Sequence, residues 1–145
     1  MKILICGLPG SGKTTLAAPF AKLIGAVHLN ADAVREEYND WDFSIEGRMR
    51  QAQRMCYLAD GVVKAGKIAV ADFVAPTAKA REEFGADFVV WMDTIKEGRF
   101  KDTNKMYVPL EQEQYNYHVS EWFDDTHNQL MKIVLRYLED NGNQD

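Results

Sequence analysis

The nine residues GLPGSGKTT at positions 7–15 constrain the fold of this chain more than any other stretch. They follow the apolar run KILIC (2–6), and apolar residues at helical spacing follow them as far as Ile24. Gly7 to Thr14 match the pattern GxxxxGK[ST], in which glycines let successive backbone N–H groups point inward around a chain of phosphates. A buried strand, this loop and a helix in succession predict a site for a nucleoside triphosphate. The alternative, a glycine-rich turn with an incidental lysine, is disfavoured by that position between strand and helix.

Each residue type in the loop has an expected task. The helix that begins near Gly12 adds unpaired N–H groups and the positive end of its dipole. We expect Lys13 to reach the β- and γ-phosphates, the Thr14 hydroxyl to bind Mg²⁺ and Thr15 to contact the α-phosphate. The predicted cofactors are therefore ATP and Mg²⁺, and the predicted nucleotide-binding residues are Gly7, Pro9, Gly10, Ser11, Gly12, Lys13, Thr14 and Thr15.

The rest of the chain alternates apolar runs with helical patterns. Further strands are predicted at 26–29, 67–72, 87–92 and 117–122, and helices at 13–24, through Val34 and Tyr38, from a Ser44 cap to about Gly66, at 77–84, and after Asp124 or Asp125. This order predicts right-handed crossovers and a parallel sheet with helices on both faces. We expect a three-layer α/β P-loop NTPase fold with about five parallel strands, formed as one domain over 1–145. Within it, the polar, irregular segment 94–114 is expected to be a mobile lid, and 141–145 a frayed tail.

Charge and composition bear on the partners. The chain has 17 Lys and Arg against 22 Asp and Glu, a net charge of −5, whereas affinity for nucleic acid depends on clustered Lys and Arg. Glycine and lysine interrupt the first apolar run before it reaches the length of a signal peptide or membrane span. We therefore expect a cytoplasmic protein with small-molecule partners, no membrane and no general nucleic-acid partner; a homodimer is left open. Cys6 and Cys56 have no partner at ligand-like spacing, so buried free thiols are expected.

Missing motifs narrow the class of nucleotide-binding protein. A GTPase carries NKxD and DxxG, but NKMY (104–107) lacks the aspartate and DFVA (72–75) lacks the glycine. A motor or AAA-type ATPase needs a larger body than 145 residues. A small α/β unit with a basic segment late in the chain indicates a small-molecule kinase.

Two blocks of the sequence resemble the adenylylsulfate kinases. GLPGSGKTTLA (7–17) and LNADAVR (29–35) are similar to GLPGSGKSTLA and LDGDxxR of that family. Weaker similarities follow in the same order: DFS (42–44) with Arg48 to GFS and a substrate-binding arginine, GKIAVADFVAP (66–76) to a strand leading into FISP, and KDTNKMY (101–107) to RDxKGLY. The resemblance implies an enzyme of sulfate assimilation that phosphorylates the 3′-hydroxyl of adenosine 5′-phosphosulfate (APS).

The resemblance also implies an acceptor site. Its predicted members are Arg35, Phe43, Arg48, Gln51 and Phe73, with the arginines on anionic groups and Phe43 stacked on a flat ring. The chain departs from the family at Asn30 and Ala31, where the family has Asp and Gly, and at Gln51, where it has Asn. The segment after Tyr107 is also shorter than the family's. Arg50 and Arg54 lie nearby, either adding positive charge or forming a solvated helix face.

Two carboxylates and one cation complete the predicted machinery. Asp32 follows the second strand, where it can accept the proton of an attacking hydroxyl or hold water on Mg²⁺; a helix N-cap is the alternative. Asp72 ends the third strand and can orient Mg²⁺ through water; a structural acid is the alternative. Arg99 is the predicted lid cation, ahead of Lys101 and Lys105, because a guanidinium matches two phosphate oxygens. The predicted catalytic residues are Lys13, Asp32 and Arg99, and the predicted metal ligands are Thr14, Asp32 and Asp72.

The resulting hypothesis is an ATP-dependent kinase for a hydroxyl of a small anionic acceptor, with APS first. Two alternatives stay open: a kinase for a nucleoside, a nucleotide or a polynucleotide 5′-hydroxyl, and a nucleotide-binding regulatory module without transfer activity, suggested by Asn30 and the short lid. His28, His118 and His127 have no ligand spacing and are predicted to be incidental.

Overall fold

The structure is a computed structural model that describes residues 1–142. Five parallel strands form one sheet in the order β2-β3-β1-β4-β5. The strands are β1 (Lys2–Gly7), β2 (Val27–Asn30), β3 (Ala69–Asp72), β4 (Phe88–Met92) and β5 (Tyr117–Val119). The predicted five-stranded parallel sheet is confirmed, although the second strand includes Asn30 and the last ends at Val119 rather than at residue 122.

Within the described residues, six α-helices connect or follow the strands. They are α1 (Lys13–Ile24), α2 (Ala31–Tyr38), α3 (Ile45–Lys64), α4 (Ala78–Phe84), α5 (Lys101–Met106) and α6 (Thr126–Gly142), with a 3₁₀ turn at Gln112–Gln114. The Ser44 hydroxyl accepts from the Gly47 N–H at 3.1 Å, so the predicted cap of the long helix is confirmed. The prediction that 94–114 is irregular throughout is wrong, because α5 and the 3₁₀ turn lie within it. Asn141 and Gly142 belong to α6, and the remainder of the predicted tail, 143–145, lies outside the described residues.

Alternate residues of the central strand pack into two separate cores. Ile3 and Ile5 of β1 pack with residues of α1 and α6, whereas Leu4 and Cys6 pack with residues of α3 and α4. Successive side chains of a strand point to opposite faces, so a strand covered on both faces reads as a continuous apolar run. The predicted three-layer α/β arrangement, with helices on both faces of the sheet, is confirmed.

The parallel register brings three connecting segments to one edge of the sheet. β1 lies between β3 and β4, and Asp72 at the end of β3 pairs with Ile5 of β1 and with Asn30 of β2. The loop after β1, the start of α2 and the loop after β3 therefore share the carboxyl edge of the sheet. In open α/β sheets, ligands bind in the crevice outside this edge.

Both cysteines are free thiols, as predicted, but the prediction that both are buried is wrong for Cys56. Cys6 is fully buried and its burial raises the pKa of the thiol to about 11, whereas Cys56 is partly exposed. Among the helices of the described part of the chain, none has both the length and the apolar composition that crossing a bilayer requires.

Candidate active site

The loop between β1 and α1 has the backbone of an anion-binding loop. Gly10 and Gly12 have φ of +87° and +96°, a left-handed conformation that residues with a Cβ rarely adopt. Gly7 is required for a different reason, since a Cβ there would lie 2.5 Å from the carbonyl oxygen of Met92. Because Gly12 is the N-cap of α1 and has no side chain, the first N–H groups of the helix stay available to an anion. The buried Ser11 hydroxyl likewise has no hydrogen-bond partner among the described residues.

The indole of Trp122 lies beside this loop. A Cβ at Gly12 would meet ring atoms of Trp122 at 3.6 Å. The tryptophan comes from the connection between β5 and α6 and is 41% exposed. An aromatic side chain from the far end of the sequence therefore covers the start of α1.

Lys13 is folded over the loop to which it belongs. Its ammonium donates to the carbonyl oxygen of Leu8 at 3.1 Å. Burial lowers the pKa of this ammonium below its ordinary value, and the nearby Asp72 carboxylate opposes part of that effect. A desolvated cation of this kind is stabilised by an incoming anion.

Asp72 is the centre of a polar cluster that α1, β2 and β3 build together. The residue is only 2% exposed. Its Oδ1 accepts from the Thr14 hydroxyl at 3.1 Å and from Asn30 Nδ2 at 3.2 Å, and its Oδ2 contacts His28 Nε2. Thr14 and Asp72, two of the three predicted metal ligands, are thus joined directly.

Asp32 lies apart from this cluster. The N-cap of α2 is Asn30, whose Oδ1 accepts from the Ala33 N–H at 3.0 Å, so the alternative of Asp32 as the cap is wrong. The Asp32 carboxylate is exposed in the first turn of α2. It raises the pKa of Lys13, but within residues 1–142 no hydrogen bond or ion pair joins it to Thr14 or Asp72. Asp32 therefore stands at the mouth of the site.

Arg35, Phe43 and Arg48 form one cluster beside the start of α3. Arg35 is 5% exposed, donates from Nη1 to the carbonyl oxygens of Asp40 (2.9 Å) and Asp42 (3.2 Å), and lies 4.4 Å from the centroid of the Phe43 ring. Arg48 lies 5.4 Å from the same centroid and donates from Nε to the Phe43 carbonyl oxygen at 2.9 Å. Burial lowers the pKa of both guanidinium groups. Two desolvated cations around a half-exposed ring suit a planar, anionic ligand.

Gln51 and Phe73 lie beneath the surface. Gln51 donates from Nε2 to the Ala31 carbonyl oxygen at 3.0 Å, and its Oε1 accepts from Arg54 at 2.7 Å. The Phe73 ring is buried 5.5 Å from that of Phe84, in the core under α3 and α4. Direct contact of either residue with an acceptor stays a prediction.

Arg50 and Arg54, for which the sequence left two roles open, both bind Asp40. Arg50 Nε lies 2.7 Å and Arg54 Nη2 2.8 Å from Asp40 Oδ2. These hydrogen bonds hold the pKa of the Asp40 carboxyl well below its usual range. The positive charges thereby tie the loop that carries Phe43 to α3.

The 94–114 segment contacts both the Arg35–Phe43–Arg48 cluster and the loop between β1 and α1. Arg48 Nη2 donates to the Thr103 hydroxyl at 2.7 Å, which connects α3 to α5. Asn104 accepts from the Gly98 N–H at 2.8 Å and donates to the Gly98 carbonyl oxygen at 2.9 Å. Gly98 in turn lies against the loop between β1 and α1 (residues 8–12, called the phosphate loop below), because a Cβ there would be 3.1 Å from the Pro9 carbonyl oxygen.

Arg99 forms no ion pair within residues 1–142. Its side chain is exposed and lies 5.3 Å from the centroid of the Phe100 ring. Lys101 and Lys105 are also exposed. The role of Arg99 as a lid cation stays a prediction.

Sequence reasoning missed two residues of this site. His28 was predicted to be incidental, and the structure instead brings its Nε2 against Asp72. The available signal was the spacing of His28 and Asn30, two residues apart on one strand and hence on one face. Thr103 had no signal in the sequence, since its partner Arg48 is 55 residues away.

Comparison with known proteins gives one family and several structural neighbours. Residues 1–107 match the family model for adenylylsulphate kinase. A probable adenylyl-sulfate kinase of Aeropyrum pernix is 33% identical over 90 residues, which cover 54% of this chain and 46% of that protein. The chain thus aligns with about half the length of this curated relative.

The solved structures extend the likeness over almost the whole chain. An unliganded sugar kinase from Janibacter sp. HTCC2649 has a TM-score of 0.70 and 20% identity, covering 95% of this chain and 94% of that one. The APS kinase of Mycobacterium tuberculosis, in complex with AMPPNP and APS, has a TM-score of 0.70 and 17% identity, covering 92% and 96%. At these identities the likeness shows a common fold alone.

Proposed function

The chain belongs to the adenylylsulphate kinase family, and on that premise we propose that it transfers the γ-phosphoryl group of ATP to the 3′-hydroxyl of adenylylsulfate. Membership supports a P-loop phosphotransferase that acts on an alcohol group, and this activity, the acceptor and the residue roles below together form the proposal. We take 1–145 to act as one kinase domain with 94–114 as its lid. One observation carries it: the phosphate loop and the Arg35–Phe43–Arg48 cluster open on one edge of the sheet and are bridged by 94–114 through Thr103 and Gly98.

The phosphate loop would bind ATP through backbone N–H groups, the first turn of α1 and Lys13. The Lys13 ammonium now bonded to Leu8 would turn to the β- and γ-phosphates, a move favoured because burial leaves this cation poorly solvated. Fixed donors aimed at the transferred group stabilise charge as it moves, and positioning supplies much of the remaining acceleration.

The residues at Thr14 fit a magnesium ion. A hydroxyl has one proton and two lone pairs. The Thr14 proton is directed to Asp72 and one lone pair accepts from Asn30 Nδ2 at 3.2 Å, so the other lone pair remains for a cation. A hydroxyl and a carboxylate are the hard oxygen donors that Mg²⁺ prefers. Bound there with ATP, Mg²⁺ would neutralise charge on the β- and γ-phosphates. Thr14 would be a direct ligand, and Asp72 would orient water around the ion.

The acceptor would lie between the phosphate loop and α3. Arg35 and Arg48 would bind its anionic groups, and Phe43 would stack on its base. Asp32, exposed at the mouth, would accept the proton of the attacking hydroxyl. Gln51 and Phe73 would form the floor of this pocket, and Arg99 would turn inward as 94–114 closes and excludes water.

A panel of acceptors with γ-labelled ATP tests the proposal. We expect labelled product with adenylylsulfate and much less with AMP, adenosine, a sugar or a 5′-hydroxyl oligonucleotide. Lys13→Ala should abolish labelling while its circular dichroism and thermal midpoint stay those of the wild type. Product with the nucleoside or sugar alone would overturn the acceptor, and ATP binding without transfer to any acceptor would indicate a regulatory module.

A further inference from the structure

His28 lies on the same face of the sheet as the magnesium-binding residues proposed above. It precedes Asn30 by two positions on β2, so both side chains project to one face. The register pairs His28 with Val70 and Asn30 with Asp72 on β3. Val70 belongs to the core formed with α1, the helix whose first turn carries Thr14. The His28 side chain thus lies next to Asp72, on the side away from the carboxyl edge of the sheet.

The two oxygens of Asp72 have different partners. Thr14 donates to Oδ1 at 3.1 Å, whereas His28 Nε2 contacts Oδ2. The Asn30 amide reaches both oxygens, at 3.2 and 3.4 Å, and so does not distinguish them. In the proposal that follows, His28 Nε2 is the donor of this contact and the Asp72 carboxylate is the acceptor.

We propose that His28 is a positioning residue whose Nε2–H holds the Asp72 carboxylate in the rotamer that serves Thr14 and the metal. Asn30 cannot replace it, since its Nδ2 is shared between both Asp72 oxygens and the Thr14 hydroxyl. The Thr14 hydroxyl also cannot, because its single proton is given to Oδ1. Without the histidine, Oδ2 loses the partner that it does not share with Oδ1, and the carboxylate can turn away from the position that orients Thr14. The inference rests on the proposed function, in which Asp72 acts toward Mg²⁺.

The effect should appear in magnesium-dependent binding of nucleotide. Calorimetry gives the affinity for AMPPNP with and without Mg²⁺, and the ratio of the two is the gain that magnesium supplies. Residues that orient the groups around a metal typically contribute about 10- to 100-fold to its affinity. In His28→Leu we expect the gain to fall about tenfold, metal-free binding to change less than twofold, and KM for Mg·ATP to rise more than kcat falls.

Two further variants separate positioning from mere support of the fold. His28→Gln retains an N–H donor near the position of Nε2 and should recover most of the gain. His118→Leu is the matched control, because His118 forms the other histidine–aspartate pair found in residues 1–142, with Asp93 at 2.9 Å, on β5 at the opposite edge of the sheet. The control should keep the wild-type gain.

A measurement on the wild-type protein requires no variant. With ¹⁵N-labelled histidine, NMR should find His28 protonated at Nε2, with a resonance that shifts when Mg²⁺ is added to the AMPPNP complex. An unprotonated Nε2, a resonance indifferent to Mg²⁺, or a His28→Leu variant with the wild-type gain would overturn the proposal. So would equal losses of binding with and without Mg²⁺. Failure of the proposed function is distinct: the wild type itself would then show no gain from Mg²⁺ or no transfer.

Discussion

Removing the Thr103 hydroxyl should loosen the 94–114 segment. Thr103 is 3% exposed, and its hydroxyl accepts from Arg48 Nη2 at 2.7 Å. Thr103→Val keeps the shape of the side chain and deletes only the acceptor. The change therefore isolates the connection between α3 and α5.

The size of the effect follows from the type of bond. A hydrogen bond to a charged group contributes about 1.5–3 kcal/mol, which corresponds to a factor of about 10–150. Arg48 is half-buried, so water compensates part of the loss and the lower end applies. We expect opening of α5 to become about tenfold more favourable.

Hydrogen–deuterium exchange at the end of α5 measures this opening. The Asn104 amide is bonded to the Phe100 carbonyl oxygen at 3.0 Å and the Tyr107 amide to that of Thr103 at 2.9 Å, so both report it. Their exchange should accelerate about tenfold in Thr103→Val. In an Arg48→Met background the same substitution should add less than twofold, because the bond is already absent. Equal acceleration in both backgrounds, or none in either, would refute the reasoning.

Two further outcomes concern the loop that carries Phe43. A Cβ at Gly47 would lie 2.2 Å from the Asp42 carbonyl oxygen, so Gly47→Ala should destabilise the protein by about 1–3 kcal/mol. In the same helix a Cβ at Gly61 meets nothing within 4 Å, so Gly61→Ala should stabilise the protein by about 0.5–1 kcal/mol. Urea titrations measure both changes, and a change of the same sign in the free energy of unfolding of the two variants would contradict this prediction. Arg50→Met removes a hydrogen-bond donor from the Asp40 carboxylate, which holds the pKa of that carboxyl below its usual range. A depressed pKa stabilises the folded protein at pH values above the ordinary carboxyl pKa of about 4, and this stabilisation is lost as the pH falls. The deficit of the variant in thermal midpoint should shrink from pH 6 to pH 2, and a constant deficit would exclude this origin.

The phosphate loop could be predicted because its chemistry is local. Glycines at 10 and 12, the lysine and the threonine occupy consecutive positions between a strand and a helix, so one short pattern defines the site. The strands of the sheet were predictable for a similar reason, since burial on both faces leaves continuous apolar runs.

The connections among distant elements could not be predicted. α5 has the sequence KDTNKM, which has no apolar stripe; its contacts are polar bonds from Arg48 to Thr103 and from Asn104 to Gly98. The contact of His28 with Asp72 depends on which strand β2 adopts as neighbour. The inward positions of Gln51 and Phe73 likewise depend on how α3 lies on the sheet.

The indole of Trp122 gives the protein a native optical reporter. The ring is partly exposed and adjoins Gly12, the N-cap of α1. Its emission should respond as nucleotide arrives, so occupancy can be followed in real time on the unmodified chain.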